Sequence, residues 1–152
     1  MHKILEVLIS DESALPDTID LILKDNDEEY ITEEFLHGIA DAFKRHPLWD
    51  RLMNSDEVYT EVPFSFKAPV DTTLLGEKLE EDTYVNGVID LVFKDTDGWV
   101  IIDFKTQDRK EVSHEIRKKY EKQLDIYKEV WEEITGEQVV KTDVFFVIKR
   151  VV

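Results

Sequence analysis

Two apolar runs joined by an Asp/Gly turn constrain the fold of this chain more than any other feature. The segment reads GVIDLVFKDTDGWVIIDFKTQ, residues 87–107, and each run contains one aspartate, Asp90 or Asp103. A turn signal at 95–98 between two runs rich in β-branched residues predicts a β-hairpin. Continuous apolar runs are typical of strands buried on both faces, so the two aspartates are expected inside the sheet.

The pairing of the two strands depends on the turn. If residues 95–98 form a four-residue turn, Asp90 faces Asp103 with Cβ atoms about 4.5–5.5 Å apart. If Asp97-Gly98 is a two-residue loop, Asp90 faces Lys105 instead. Both pairings put Asp90, Asp103 and Lys105 on one face of the hairpin, because alternate residues of a strand share a side.

This cluster has the parts of a metal-assisted hydrolytic site. Two carboxylates at that separation repel each other, and a divalent cation between them removes the repulsion. The chain has no Cys, so a hard ion with oxygen ligands, Mg²⁺ or Mn²⁺, is expected. Lys105 beside the metal could hold an attacking water and stabilise charge on a phosphoryl oxygen. The alternative is a solvated sheet face with no chemistry, which the apolar runs around the aspartates disfavour.

The remaining pattern predicts an α/β domain with a mixed sheet core flanked by helices and an N-terminal helical segment. The predicted helices are 2–10, one entered at Pro16 within the acidic segment 11–31, 32–45, a short one after Pro47, and 111–134; the predicted strands are 57–64, 84–93, 99–105 and 139–152. The long helix should bury a stripe formed by Ile116, Tyr120, Leu124, Tyr127, Trp131 and Ile134. Gln123 interrupts the apolar face of that helix, and a polar residue there costs free energy unless it is bonded, so Gln123 is expected at the site.

Composition limits the class of protein. The formal net charge is −16, which disfavours a protein that grips nucleic acid by itself. No apolar run approaches the roughly 18–20 residues that cross a bilayer, and the N-terminus is not a signal peptide, so we expect no membrane partner and a cytoplasmic location. The 152 residues are enough for a single domain, 1–152.

The hairpin resembles the core of PD-(D/E)XK nucleases, and within them the RecB-like nuclease domain of AddA-type (UvrD-family) helicase–nucleases. The matching elements are GVIDLVF at 87–93, DGWVIIDFKT at 97–106, and QLDIY at 123–127. Weaker matches are the segment 43–64, which ends in an E-x-P-F element, and His2-Lys3-Ile4-Leu5-Glu6. The Gly-Thr that precedes this last motif in the family is missing, and from this we expect a domain cut from a longer protein.

The resemblance implies a restriction-endonuclease-like fold and a role for each matching residue. Asp90, Asp103, the Phe104 carbonyl and His2 would hold Mg²⁺ or Mn²⁺. Phe104 replaces the Tyr of the family pattern, a conservative change if the carbonyl is the ligand. Lys105 would position water, while Gln123 and Tyr127 would orient the strand or the lysine. Glu61 is left open between the site and a solvent-exposed strand end.

The resemblance also implies partners and an activity. The expected function is exonucleolytic hydrolysis of DNA at double-strand breaks. An ATP-dependent helicase motor in the same polypeptide would deliver single-stranded DNA, and a second subunit could complete a heterodimer. No G-x-x-x-x-G-K-[ST] segment occurs in this sequence, so ATP would bind outside it. A basic stretch just after the hairpin is the expected strand path: Lys105, Arg109, Lys110, Arg117, Lys118, Lys119 and Lys122. The alternatives are a non-catalytic acidic docking module with the same fold and a free-standing nuclease.

Overall fold

The computed structural model describes residues 1–74, 76–107 and 113–149. The elements in chain order are α1 (His2–Ser10), a 3₁₀ turn (Glu12–Ala14), α2 (Leu15–Asp25), α3 (Glu33–Lys44), α4 (Trp49–Met53), β1 (Val58–Ala68), β2 (Thr73–Leu74), β3 (Glu77–Lys78), β4 (Thr83–Asp95), β5 (Gly98–Gln107), α5 (His114–Thr135) and β6 (Val139–Ile148). The predicted helices and the four long strands are confirmed. The short β2–β3 hairpin was not predicted.

Local side-chain and backbone bonds account for the ends of the longer helices. The Thr32 hydroxyl accepts a 3.1 Å hydrogen bond from the Phe35 N–H and caps α3, as its position before the apolar stripe predicts. Ser113 caps α5 in the same way through the Ile116 N–H. At the other end of α5, Gly136 adopts a left-handed conformation (φ 69°) and its N–H bonds to the Glu132 carbonyl.

The central sheet has the strand order β1-β4-β5-β6 and mixes antiparallel with parallel pairing. β4 pairs antiparallel with both β1 and β5. The Trp99 N–H donates to the Gln138 carbonyl near the start of β5, and the Lys149 N–H donates to the Gln107 carbonyl at its end. Partner numbers rise together, so β5 and β6 run parallel, with α5 as the crossover between them. The predicted mixed sheet is confirmed.

The hairpin turn is the four-residue alternative. Asp95 pairs with Gly98 and Leu91 pairs with Ile102, leaving Thr96 and Asp97 at the tip. Gly98 has φ 149°, and a Cβ there would lie 2.6 Å from the Gln138 carbonyl oxygen. A side chain at Gly98 would therefore push β6 away from the turn.

The described residues form two compact units. The first comprises residues 1–55 with the ends of β5 and β6, and its core is centred on Phe43. That ring is fully buried and makes edge-to-face contacts with Trp49, Phe104 and Phe145 at centroid distances of 5.0–5.7 Å. These aromatic contacts tie the N-terminal helices to the ends of the two parallel strands.

The second unit comprises residues 56–103 and 111–144, in which α5 packs on the sheet. Trp99 and Trp131 meet edge to face at 5.1 Å, and Tyr59 lies within 6.2 Å of both rings. Lys94 lies near the hairpin turn, at the same end of the sheet as the Trp99 ring. Its ammonium is 2.8 Å from a carboxylate oxygen of Glu137 and lies over that ring.

The buried stripe of α5 is shorter than predicted. Leu124, Tyr127 and Trp131 are buried, together with Val130, but Ile116 is 43% exposed and Ile134 is 61% exposed. The prediction was therefore wrong at both ends of the helix, because the sheet beneath α5 covers only its middle turns. The predicted helix start at Glu111 and the last three residues of the predicted final strand, 150–152, lie outside the described residues. None of the helices in the described part of the chain has the length and the apolar composition of a membrane span.

Candidate metal centre

Asp90 and Asp103 are the buried acidic residues of the described chain, at 8% and 2% exposure. β4 supplies Asp90 and β5 supplies Asp103. The Leu91–Ile102 pair is the last of the ladder that starts at the hairpin turn, and the two aspartates are the next residue on each strand. Their placement follows from the four-residue turn, which sets the register of the whole hairpin.

Glu61 adds a third carboxylate, which the sequence left open. It falls between the pairs Thr60–Leu91 and Val62–Ile89, at the position opposite Asp90. Its backbone is left-handed, with φ 51°, a conformation that costs a non-glycine residue about 1 kcal/mol or more. A carboxylate oxygen of Glu61 lies within 4.8 Å of one from Asp90. The only sequence signal was the E-x-P-F element, because nothing local predicts a left-handed glutamate within a strand.

β1 changes the face that it presents to α5 around Glu61. Tyr59 contacts Trp131 of α5, and Phe64 contacts Tyr127 of α5 at a centroid distance of 5.6 Å. Residues an odd number of positions apart lie on opposite faces of a regular strand. The irregular residue between them, Glu61, therefore allows both stretches of β1 to pack on the same helix.

Gln123 and Tyr127 lie one turn apart on α5 and are bonded to each other. The Gln123 side-chain amide donates a 2.7 Å hydrogen bond to the Tyr127 hydroxyl oxygen, which leaves the phenol proton for another acceptor. Burial raises the pKa of Tyr127, and the negative charges of Asp103 and then Asp90 raise it further. The phenol thus remains a proton donor close to both carboxylates.

Phe104, His2 and Lys105 belong to the first compact unit, whereas the two aspartates belong to the second. Phe104 follows Asp103 directly in β5, and the imidazole of His2, at the start of α1, lies 5.7 Å from the Phe104 ring. Lys105 is half-buried two positions beyond Asp103 in the same strand, so alternation gives the two side chains the same side of β5. Of the expected strand path, Arg109 and Lys110 lie outside the described residues. The α5 members of that path are exposed: Arg117, Lys118, Lys119 and Lys122.

The donor set suits a hard divalent cation. Glu61, Asp90 and Asp103 offer only carboxylate oxygens, and two of these carboxylates are already close enough to share an ion. Mg²⁺ and Mn²⁺ prefer oxygen ligands. A bound cation would also offset the cost of burying like charges side by side.

Comparison with known proteins extends this picture over the whole chain. Residues 1–151 match the PD-(D/E)XK nuclease superfamily. A protein of Thermoanaerobacter sp. (strain X514), named as a subunit of an ATP-dependent helicase/nuclease, is 34% identical over 149 residues, which are 91% of this chain and 12% of that protein. Proteins of the same name from Alkaliphilus metalliredigens (strain QYMF) and Clostridium botulinum (strain Okra / Type B1) are 32% and 34% identical over 93% and 74% of this chain.

The chain spans only 9–12% of the length of these relatives. The match nevertheless includes the hairpin with its two aspartates, the lysine after them and the Gln/Tyr pair of α5. The resemblance read from those motifs is confirmed: this chain belongs to the PD-(D/E)XK nuclease superfamily.

Proposed function

We propose that this chain hydrolyses phosphodiester bonds of DNA with the help of Mg²⁺ or Mn²⁺. The observation that carries the proposal is the approach of the Glu61 and Asp90 carboxylates to within 4.8 Å of each other on the adjacent strands β1 and β4, with buried Asp103 on β5, the strand next to β4. Asp103 and Asp90 both raise the pKa of the Tyr127 phenol. PD-(D/E)XK nucleases use divalent metals, and membership of that superfamily makes hydrolysis of nucleic acid the chemistry best matched to these groups.

We assign each residue a role in that reaction. Asp90 and Asp103, with the Phe104 carbonyl, His2 and Glu61, would hold the ion. A bound ion supplies Lewis acidity and lowers the pKa of a bound water. The Lys105 ammonium would orient the attacking water and stabilise charge developing on the phosphoryl oxygen. Gln123 fixes the Tyr127 hydroxyl, whose proton can be donated to a phosphate oxygen of the strand.

We further propose that the domain works as part of a helicase–nuclease. The relatives are named as subunits of ATP-dependent helicase/nucleases and are about eight times longer than this chain or more. A motor in the same polypeptide would deliver single-stranded DNA from double-strand break ends, a second subunit could complete the assembly, and cleavage would be exonucleolytic. Delivery by a motor also reconciles a net charge of −16 with a polyanionic substrate, because the nuclease domain then needs little affinity of its own.

The test is cleavage of labelled single-stranded DNA by the chain at low salt with Mn²⁺. Lys105→Ala should reduce cleavage at least 100-fold, as expected for removal of one charge-stabilising donor, while Mn²⁺ affinity stays within about twofold because an ammonium is not a ligand. Lys67→Ala, an exposed lysine of β1, is the matched control and should cleave like the wild type.

One observation favours a second candidate function, an acidic docking module that keeps the fold without catalysis. The chain carries 35 Asp and Glu residues against 19 Lys and Arg, and such a surface could attract a basic partner. The same experiment, carried out up to saturating concentrations of the strand, separates the two candidates. Metal-dependent cleavage that Lys105→Ala removes excludes the docking module. Wild-type protein that binds Mn²⁺ and the strand without cleaving DNA excludes the nuclease.

A further inference from the structure

The Phe64 ring lies directly over the backbone of Gly87. The two residues are paired across β1 and β4. A Cβ added to Gly87 would lie 2.8 and 2.9 Å from two ring carbons of Phe64, Cζ and Cε1, which is closer than van der Waals contact permits. The same Cβ would lie 3.5 Å from Cε1 of Tyr127. The absence of a side chain at Gly87 thus provides the space in which two aromatic rings meet.

Phe64 in turn packs against the side chain of Tyr127. Its ring meets the Tyr127 ring edge to face, with centroids 5.6 Å apart and an interplanar angle of 81°. Both side chains are more than 90% buried, so neither ring can swing without displacing packed neighbours. The Gln123 amide holds the hydroxyl end of the same tyrosine at 2.7 Å. One polar and one aromatic contact therefore restrain Tyr127 at its two ends.

We propose that Phe64, seated over Gly87, is a positioning residue that aims the Tyr127 hydroxyl at Asp90 and Asp103. The inference rests on the proposed nuclease function and adds to it two residues that hold no metal and contact no reacting atom. The raised pKa of Tyr127, caused partly by the charges of Asp103 and Asp90, supports the closeness of the hydroxyl to both carboxylates.

Two substitutions disturb this arrangement in opposite ways. Gly87→Ala inserts a methyl group where the Phe64 ring edge lies, so the ring must move off the strand and release the Tyr127 ring. Phe64→Leu leaves the space over Gly87 partly empty and removes the flat wall. In the double variant Gly87→Ala/Phe64→Leu the added methyl group meets no aromatic ring, because leucine lacks the ring atoms that a Cβ at Gly87 would contact. Gly87→Ala should therefore cause no further loss of stability, and the double variant should have the Tm of Phe64→Leu.

Steady-state cleavage of single-stranded DNA with saturating Mn²⁺ measures the effect on chemistry. Gly87→Ala, Phe64→Leu and the double variant should each lose about 10–100-fold in kcat, because a misplacement near 1 Å has that effect. KM and Mn²⁺ affinity should stay within about threefold, since no ligand or phosphate contact is removed. Phe66→Leu is the matched control: it truncates a partly buried ring two residues along β1, and its kcat should stay within about twofold of the wild type.

Fluorine NMR tests the geometry independently of activity. With all five tyrosines replaced by 3-fluorotyrosine, the Tyr127 resonance is the one lost in Tyr127→Phe. It should shift or broaden in Phe64→Leu, Gly87→Ala and the double variant, and stay in place in Phe66→Leu. Loss of the Phe64 ring current shifts the Tyr127 resonance by itself, so the linewidth is the deciding quantity. A linewidth that Phe64→Leu leaves unchanged overturns the proposal, as does a kcat equal to that of Phe66→Leu. If the wild type cleaves no DNA at a saturating strand concentration, the proposed function fails, and the linewidth still decides whether Phe64 holds Tyr127 in place.

Discussion

Glu61 and Asp90 stand opposite each other at the one place where the β1–β4 ladder skips a pair, and their carboxylate oxygens approach within 4.8 Å. The two charges are brought together by backbone geometry, because Glu61 sits in a left-handed conformation that strands rarely contain. An arrangement that places like charges together at the cost of backbone strain is common where a site binds an ion.

Glu61→Gln should weaken Mn²⁺ binding about tenfold, since the substitution removes one negative charge from the donor set and keeps the shape of the side chain. Calorimetric titration of Mn²⁺ measures the change. Glu80→Gln, an exposed glutamate of the same unit, controls for the loss of a charge anywhere on an acidic surface. Equal affinities for the two variants would mean that Glu61 lies outside the metal centre.

Glu61→Gly should raise the free energy of unfolding in the absence of metal by about 0.5–1 kcal/mol, because glycine adopts the left-handed region without strain. Metal affinity should fall in the same variant. Asp71→Gly is the control, since Asp71 is the other described non-glycine residue with positive φ, at 70°; its stability should rise similarly with metal binding unchanged. Urea denaturation in EDTA measures the free energies of unfolding, and calorimetric titration measures the Mn²⁺ affinities. If Glu61→Gly is less stable than the wild type, the backbone at Glu61 is not strained.

Asp103→Asn should remove most of the stability that Mn²⁺ adds to the chain, because it replaces a carboxylate that is 2% exposed with a neutral side chain of the same shape that binds the ion weakly. At 100 times its dissociation constant, Mn²⁺ adds about 2.7 kcal/mol to the wild type and should add much less to the variant. Urea denaturation with EDTA and with Mn²⁺ provides the comparison. A variant that gains as much stability from Mn²⁺ as the wild type would place Asp103 outside the metal centre.

The hairpin could be predicted closely from sequence because its register depends on local information. The Asp/Gly turn and two apolar runs limit the pairing to two alternatives, and both keep Asp90 and Asp103 on one face. The helix caps at Thr32 and Gly136 also depend on local information, because each is set by one side chain or one φ angle. The nuclease family could be recognised because its motifs fall on these same local elements.

Features that depend on distant packing could not be predicted. Whether Ile116 and Ile134 are covered depends on how far the sheet extends beneath α5, which no helical periodicity encodes. The left-handed Glu61 is a tertiary effect, because the strand must present Tyr59 and then Phe64 to the same helix. Gly87 carries no local signal either, since its role is to leave room for a ring from another strand.

Tyr127→Phe should change the stability of the chain at alkaline pH. Burial, Asp103 and Asp90 raise the pKa of Tyr127 above its ordinary value of 10.0, so in the folded chain the phenol keeps its proton at a pH where the unfolded chain loses it. A raised pKa contributes stability that is complete below the unfolded value and is lost as pH rises through the folded one. Above about pH 10, the ordinary pKa of a tyrosine, the wild type should therefore lose free energy of unfolding faster than Tyr127→Phe does.

At pH 7, where the phenol is protonated in both states of the wild type, Tyr127→Phe should be less stable than the wild type by about 1 kcal/mol. The reason is that the Gln123 amide loses its 2.7 Å acceptor in a half-buried position. Urea denaturation from pH 7 to 11 follows both effects in one series. Tyr84→Phe is the control, because Tyr84 is 64% exposed: its stability should follow that of the wild type at every pH. Parallel curves for the wild type and Tyr127→Phe would mean that Tyr127 ionises as readily in the folded chain as in the unfolded one, and that Asp90 and Asp103 do not act on its phenol.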